Sequence, residues 1–172
     1  MDRTAAGCSA ANMAGGVDAW KVTGEKMGTK FEKLDRDKAQ ALIRIANQMR
    51  EKSYCPYSGF AVGAALMTEQ GRVYGGCNVE NAAYSASICA ERTAFVKAVS
   101  EGERSFRAIA IVGGKKPVPV DYSFPCGACR QFMREFCDPD TFEVITAISE
   151  EDYITYSLAQ LLPESFGPGH LE

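Results

Sequence analysis

Histidine is almost absent from this sequence. The 172 residues include a single histidine, His170, which lies close to the C-terminus. Catalytic dyads and triads built on serine or cysteine usually take a histidine as their general base. Since a histidine in the tail would have to reach the core to serve in such a site, we expect any acid or base role to fall to a carboxylate.

A long apolar run and an excess of basic residues are also missing. The longest apolar run, residues 61–67, is far shorter than the roughly 20 residues that cross a bilayer, and the N-terminus lacks the apolar core of a signal peptide. We therefore expect a soluble protein of the cytoplasm, or of the cytoplasm and nucleus, with no membrane partner. The net charge is −3 and lysine and arginine are not clustered, so we expect no polynucleotide partner.

Cysteine, by contrast, occurs seven times, an odd number in a chain expected to stay inside the cell. Disulfide scaffolds are typical of exported proteins and use cysteines in pairs, so metal ligation and free buried thiols are the favoured interpretations. The seven are Cys8, Cys55, Cys77, Cys89, Cys126, Cys129 and Cys137.

The hydrophobic pattern divides the chain into an extension and one domain. Residues 1–34 are rich in small and polar residues without sustained periodicity, which predicts a mobile N-terminal extension. Within residues 35–172, the segments "FAVGAALM" and "FRAIAIVG" are apolar on both faces, as strands covered on both sides are. Helical patterns separate these strands. Together they predict an α/β fold, a three-layer α/β/α sandwich around a mixed sheet of about five strands.

A candidate metal site arises from three cysteines at predicted helix starts. Cys126 and Cys129 form a C-x-x-C pair one helical turn apart, a spacing that fits a redox pair as well as half of a zinc site. Cys89 lies at another predicted helix start, where the helix dipole favours the thiolate that zinc binds. Three thiolates would leave one open position on zinc, as catalytic zinc sites do.

Glu91 is the candidate catalytic carboxylate. It follows Cys89 by two residues, and side chains at that spacing point in nearly opposite directions around a helix. Both can serve one centre only if that centre lies beyond the helix end. The fourth zinc position decides between two interpretations. If water occupies that position, Glu91 can act as a general acid and base. If Cys55, Cys77 or Cys137 occupies it, the site is structural, and Glu91 is simply an acidic residue favoured by the helix dipole in the first turn.

These residues carry a resemblance to a known family. The segment "CAERTA" at residues 89–94, followed by "PCGACR" at residues 125–130, resembles the zinc-dependent cytidine deaminases of the small three-cysteine class. The likeness extends through "YCPYSGFAVGAAL", "GCNVENAAY", "FRAIAI", "CRQFMREF" and "LLPESFGP". It implies a cytidine deaminase-like fold, a catalytic domain over residues 35–172, and one Zn²⁺ per subunit. The implied reaction is hydrolytic deamination of cytidine and 2′-deoxycytidine in pyrimidine salvage.

The resemblance also implies the roles of the metal-site residues. Cys89, Cys126 and Cys129 hold the zinc, and Glu91 moves a proton from water to N3 of the cytosine ring and later to the departing ammonia. Arg92 donates to the ligand sulfurs and so offsets the charge of three thiolates. The alternative for Arg92 is an exposed arginine on the helix surface.

A second set of implied roles concerns the nucleoside. Phe60 stacks on the base, Asn78 and Glu80 hydrogen-bond the ribose hydroxyls, and the Ala90 backbone lies near the pyrimidine edge. Taken alone, Phe60 would be an ordinary strand residue, and the two polar residues would belong to a loop. An acid near the ribose would repel a 5′-phosphate, which favours nucleosides over nucleotides.

The resemblance further implies a homotetramer with shared active sites. Phe166 lies among turn-forming residues near the C-terminus, where too little chain remains to form another element. In the family, this phenylalanine reaches a neighbour's pocket and packs on the bound base, and the tyrosine matching Tyr84 lies at a subunit boundary. The alternative is a single exposed aromatic residue, which is common on protein surfaces.

Two other functions stay open at this point. A blasticidin-S-type deaminase shares the ligand pattern but acts on a modified cytosine nucleoside, and the match at "GCNVENAAY" and "SFGP" argues against it. A zinc-stabilised module without catalysis would have no use for a carboxylate at Glu91.

Overall fold

The structure is a computed structural model that describes residues 31–115, 117, 119 and 121–171. The N-terminal extension predicted for residues 1–34 falls almost wholly outside the described residues, and it stays a prediction. Leu34, just before the first helix, packs against the domain core, and its N–H donates to the Glu143 carboxylate at 2.7 Å.

A five-stranded mixed sheet forms the middle layer, with strands in the order β2-β1-β3-β4-β5. The strands are β1 (Phe60–Thr68), β2 (Val73–Cys77), β3 (Phe106–Lys115), β4 (Glu143–Ala147) and β5 (Tyr153–Ser157). β3 and β4 pair in parallel, and the other neighbours pair antiparallel. This arrangement confirms the predicted strands and the mixed sheet.

Alternate residues of the central strands supply two separate cores. On β3, Ala108, Ala110 and Val112 face one side, and Ile109 and Ile111 face the other. All five are at most 1 % exposed. Because both faces of the strand are buried, its sequence is a continuous apolar run and does not alternate between apolar and polar residues.

In the described part of the chain, four α-helices accompany the sheet: α1 (Arg36–Glu51), α2 (Ala90–Ser100), α3 (Gly127–Phe136) and α4 (Leu158–Leu161). α1 covers one face of the sheet through its apolar stripe, and Asp35 caps its N-terminus by accepting the Lys38 N–H at 2.9 Å. α2 and α3 cover the opposite face around Phe95 and Met133. The predicted three-layer α/β/α sandwich is therefore confirmed.

Two glycines set how closely the helices approach the sheet. A Cβ at Gly63 of β1 would lie 2.0 Å from the Ala46 carbonyl oxygen of α1, and one at Gly76 of β2 would lie 2.4 Å from the Ala94 nitrogen of α2. A backbone surface without side chains is required at both contacts, one on each face of the sheet. The Gly76 contact fixes α2, which begins at the candidate site.

The C-terminal part of the described chain runs from β5 through α4 to a short 3₁₀ helix at Pro168–His170. Ser157 and Gln160 form a reciprocal capping box at the start of α4. Within the described ranges, no helix combines the length and apolarity that crossing a membrane requires.

Candidate metal centre and substrate cavity

The metal site is built where the N-termini of α2 and α3 meet. Cys89 is the N-cap residue of α2 and Cys126 is the N-cap residue of α3, and neither side chain caps its own helix. Cys129 lies one turn into α3 and is buried. Both helix dipoles therefore direct their positive ends toward the three sulfurs, which stabilises thiolates there.

The spacing of these sulfurs fits a tetrahedral zinc ion. The Sγ atoms of Cys89 and Cys126 are 4.0 Å apart, those of Cys126 and Cys129 are 3.5 Å apart, and all three lie within 4.8 Å of one another. Zn–S bonds of about 2.3 Å in tetrahedral geometry place ligand sulfurs about 3.8 Å apart. The sulfurs in the structure already lie close to that arrangement.

Hydrogen bonds favour the thiolate at Cys89. Its pKa is lowered to about 5, chiefly by the hydrogen bond with the Cys129 thiol and then by Arg92. Arg92 Nη2 lies 3.6 Å from Cys89 Sγ and also donates to the Ser87 carbonyl oxygen at 3.3 Å. Its Nε is buried without a hydrogen-bond partner in the described part of the chain. Arg92 thus faces the sulfur cluster and not the solvent side of α2.

Glu91 lies in the first turn of α2 and is 5 % exposed. Burial raises the pKa of this carboxyl to about 7, and the neighbouring Cys89 charge acts in the same direction. A carboxyl with such a pKa both accepts and releases a proton at neutral pH. Glu91, Cys89 and Cys126 line the same cavity, so two side chains at the i, i+2 spacing reach one space beyond the N-terminus of α2.

The other described cysteines lie apart from this cluster. Cys77 Sγ contacts the Lys52 carbonyl oxygen at 3.6 Å, and Cys55 Sγ contacts Ser53 Oγ at 3.6 Å. Cys137 is buried in the α2 and α3 core, where burial raises its thiol pKa. Among the described residues, the only cluster of potential ligands with metal-binding spacing is the set of three cysteines.

A cavity of about 460 Å³ opens over the sulfurs. Its walls come from β1, the segment after β2, the start of α2, and the loop before α3. The lining residues are Phe60, Val62, Asn78, Glu80, Ser87, Ile88, Cys89, Ala90, Glu91, Ile111, Tyr122, Ser123, Phe124 and Cys126. Phe60, Asn78, Glu80 and Ala90, to which the family resemblance assigns contacts with the base or the ribose, all border this cavity.

Asn78 and Glu80 also hold the cavity rim in place. Asn78 accepts the Val62 N–H at 2.8 Å and donates to the Phe60 carbonyl oxygen at 2.9 Å. Glu80 accepts the Ser58 hydroxyl at 2.5 Å and the Tyr57 N–H at 2.9 Å. The Ser58 hydroxyl is also the largest cause of the lowered Glu80 pKa. These side chains support β1 and the loop before it as well as facing the cavity.

Sequence reasoning missed the contribution of the loop before α3. Tyr122, Ser123 and Phe124 line the cavity wall, and Phe124 makes an edge-on contact with Tyr156 at a centroid distance of 5.9 Å. Their position immediately before "PCGAC" was the available signal, since a loop that delivers metal ligands must pass the same cavity. Nothing in its composition distinguishes it from an ordinary Gly- and Pro-containing connection.

Tyr84 and Phe166 do not border the cavity in the isolated chain. Tyr84 is 74 % exposed and contacts Tyr57, and Phe166 is 57 % exposed and stacks on His170 at a centroid distance of 5.1 Å. Both rings are presented to the outside of the subunit.

Comparison with known proteins gives a consistent result. The family described as the cytidine and deoxycytidylate deaminase zinc-binding region matches residues 36–145. A cytidine deaminase of Sporosarcina psychrophila is 49 % identical over 127 residues, covering 74 % of this chain and 90 % of that protein. The crystal structure of cytidine deaminase from Burkholderia pseudomallei is 48 % identical, with a TM-score of 0.66, covering 73 % of this chain and 97 % of the other. The corresponding structure from Mycobacterium tuberculosis is 34 % identical, with a TM-score of 0.65, and covers 79 % and 100 %.

Proposed function

Because the chain belongs to the cytidine and deoxycytidylate deaminase zinc-binding family, we propose that it hydrolyses cytidine and 2′-deoxycytidine. The products are uridine or 2′-deoxyuridine and ammonia, a reaction of pyrimidine salvage. The observation that carries the proposal is the buried Glu91 carboxyl beside a zinc-compatible cluster of three cysteines in one cavity. A zinc-stabilised module without activity has no need of this costly buried acid.

Cys89, Cys126 and Cys129 would hold the zinc. Bound zinc supplies Lewis acidity, which lowers the pKa of water toward neutrality. Three thiolates weaken that acidity because they bring three negative charges to one dication. Arg92 offsets part of this charge through its contact with Cys89 Sγ. The role of Arg92 is therefore to keep the bound zinc a strong enough Lewis acid for catalysis.

Glu91 carries the protons. Its carboxylate accepts a proton from the attacking water as the oxygen bonds to C4 of the cytosine ring, and it delivers that proton to N3. It then passes the second water proton to the exocyclic amine, the C4–N4 bond breaks, and ammonia leaves. The C4 carbonyl of uridine remains. Both transfers need a group that gains and loses a proton in each turnover, and burial of the Glu91 carboxyl raises its pKa toward neutrality.

The cavity walls orient the nucleoside. We assign Phe60 to stacking on the base, the Ala90 backbone to the pyrimidine edge, and Asn78 and Glu80 to the ribose hydroxyls. Asn78 and Glu80 already hold backbone groups, so their positions are fixed before substrate arrives. Such preorganisation lowers the entropic cost of binding. The lowered pKa of Glu80 keeps it ionised, which disfavours a 5′-phosphate nearby.

We also propose that the active form is a homotetramer with shared sites. The exposed Tyr84 and Phe166 rings support this, because each is a large aromatic side chain with no cavity of its own subunit to fill. In the tetramer, Phe166 would close the pocket of a neighbour over the bound base, and Tyr84 would lie at the subunit boundary.

Parallel assays of ammonia release test the proposed function. Cytidine, 2′-deoxycytidine, CMP, blasticidin S and a cytosine-containing oligonucleotide are each incubated with the zinc-loaded protein, with the Glu91→Gln variant as the matched control. We expect turnover of the first two substrates only. Preferential turnover of blasticidin S would favour the modified-nucleoside alternative, and no turnover of any substrate by the zinc-loaded protein would favour the structural module.

A further inference from the structure

The outer side of α3 holds the last part of the chain through side chains that the proposed reaction does not use. Gln131 Nε2 donates to the Phe166 carbonyl oxygen at 3.0 Å, and Arg134 Nε donates to Ser165 Oγ at 3.1 Å. We call residues 163–167 the C-terminal arm. The arm is joined to α3 next to Phe166, the residue whose ring faces outward.

Arg134 also packs flat against the arm. Gly167 is buried, and a Cβ there would lie 2.5 Å from Cζ of the Arg134 guanidinium. Beyond it, the Gly167 N–H donates to Nδ1 of His170 at 3.1 Å, and the His170 ring stacks on Phe166. The Phe166 backbone is therefore held by α3, and its ring stacks on His170.

The backbone just before Phe166 adopts an unfavourable dihedral angle. Glu164 has a φ of +50°, which is unfavourable for a residue with a side chain. Such conformations persist where surrounding contacts impose them. The arm contains no helix or strand, and the hydrogen bonds with α3 are among the contacts that hold its path.

The same helix begins at the metal site. Arg130 Nε donates to the Pro125 carbonyl oxygen at 2.7 Å, just before Cys126, and its Nη1 donates to the Leu161 carbonyl oxygen at 2.8 Å. One arginine therefore links the loop that delivers a metal ligand to the segment that leads into the arm. Two of the three proposed metal ligands, Cys126 and Cys129, therefore belong to the same helix and N-cap as the side chains that hold the arm.

We propose that Arg134 and Gln131 are positioning residues for substrate binding, acting through Phe166. This proposal rests on the proposed function and its shared sites. The two side chains fix the direction in which the Phe166 ring projects from its own subunit. Their loss would weaken nucleoside binding in the neighbouring subunit while leaving the proton chemistry at Glu91 in place. The expected signature is a raised KM with little change in kcat.

The test compares Arg134→Met, Gln131→Ala and Ser165→Ala, each alone and combined with Phe166→Ala, using zinc-loaded full-length protein. Ser165→Ala removes the Arg134 hydrogen bond from its other end without altering α3, so it covers the case in which Arg134→Met fails to fold. Glu135→Gln, an exposed change on the same helix, is the matched control. The readouts are KM and kcat for cytidine, zinc content, oligomeric state and hydrogen exchange of residues 162–167.

We expect each single variant to raise KM about twofold to tenfold, as the loss of one net hydrogen bond would. Hydrogen exchange in the arm should rise, zinc content and oligomeric state should hold, and Glu135→Gln should match the wild type. In the Phe166→Ala background the same changes should add nothing to KM, because the positioned ring is gone.

Three results would overturn the inference. One is faster exchange in the arm with unchanged KM, which would make the contacts merely structural. Another is a KM increase that persists in the Phe166→Ala background. The third is a Phe166→Ala variant with wild-type KM, which would remove the shared site yet leave the proposed deaminase activity intact. A wild-type protein that does not deaminate cytidine would instead refute the proposed function itself, and this inference with it.

Discussion

The proposed metal ligands, which with Glu91 form the metal half of the site, lie together within the described chain, whereas the residues proposed to bind substrate, its substrate half, do not all border one cavity. Cys89, Cys126 and Cys129 already lie at near-ligand spacing, and Glu91 is buried beside them. The cavity proposed to hold the base and the ribose is open, and the exposed rings of Tyr84 and Phe166 do not line it. The two halves therefore depend on different parts of the fold.

The difference follows from how each half is built. The metal half uses two helix N-termini that the sheet holds in register, so its geometry follows from the core of a single domain. The proposed substrate half combines residues of β1 and α2 with loops and, in the proposed tetramer, the C-terminal arm; the loops and the arm gain their positions from side-chain contacts. Changes in the metal half should therefore affect chemistry and stability together, and changes in the substrate half should affect mainly affinity.

The strongest test of this comparison is Cys126→Ala. Removing one thiolate should lower zinc content far below one per chain and abolish measurable turnover. The melting temperature should also fall, since metal binding is coupled to folding at such sites. Metal analysis, ammonia release and thermal unfolding measure the three effects. An active Cys126→Ala enzyme without zinc would break the assignment of the metal half, and Cys77→Ala is the matched control.

Glu91→Gln should separate chemistry from structure within the metal half. The amide keeps the shape of the side chain but cannot shuttle protons, so we expect kcat to fall about 10²- to 10⁴-fold. Zinc content should stay near one per chain. Single-turnover assays with metal analysis on the same sample provide the measurement. A variant that retains a tenth or more of wild-type turnover would move the proton transfer to another group.

Truncation before Ser165 should affect the substrate half alone. The shortened protein keeps both helix N-termini and should remain folded and zinc-loaded, while KM for cytidine rises by about tenfold or more. Equilibrium binding of a nucleoside inhibitor and sedimentation analysis are the measurements. A fully active monomer at assay concentration, with or without the arm, would contradict the shared-site proposal.

The smallest expected effect is at Glu143, on the face of the sheet opposite the site. Burial raises the pKa of this carboxyl, so the folded protein binds its proton more tightly than the unfolded chain does. Its contribution to stability is then largest below the ordinary glutamate pKa and is lost as pH rises through the folded value. Glu143→Gln removes that ionisation, and its amide oxygen can still accept the Leu34 N–H.

Denaturant unfolding from pH 4 to pH 8 measures this prediction. The Glu143→Gln protein should lose less stability than the wild type as pH rises, because it lacks this ionisation. KM and kcat at constant pH should not change, because Glu143 borders neither half of the site. A steeper loss of stability with pH in the variant would show that the ionised carboxylate stabilises the fold, against the sign expected from burial.

Much of the fold could be predicted because it follows local patterns. Strands such as β3 are apolar on both faces, and this requires helices on both sides of the sheet. The convergence of Cys89 with the C-x-x-C pair was predictable from helix starts together with the family resemblance. The confirmed family also supports the predicted zinc. The roles of Glu91 and Arg92 stay predictions.

The rest could not be predicted because it depends on contacts between distant segments. The cavity wall formed by Tyr122 and Phe124 depends on the path of a loop, and neither residue type specifies that path. The hydrogen bonds from the Asn78 side chain to the backbone of β1 likewise form only once the strand and the loop are adjacent. Side chains that support other residues leave no periodic pattern in a sequence.

The glycine contacts on the two faces of the sheet have a consequence for how this protein can change. At Gly63 and Gly76 even one added methyl group would meet helix backbone, so the spacing of α1 and α2 from the sheet tolerates no substitution without displacement of a helix. Displacement of α2 would carry Cys89 and Glu91 with it. Selection for new nucleoside substrates should therefore leave both glycines untouched and accumulate changes in the cavity loops and the C-terminal arm.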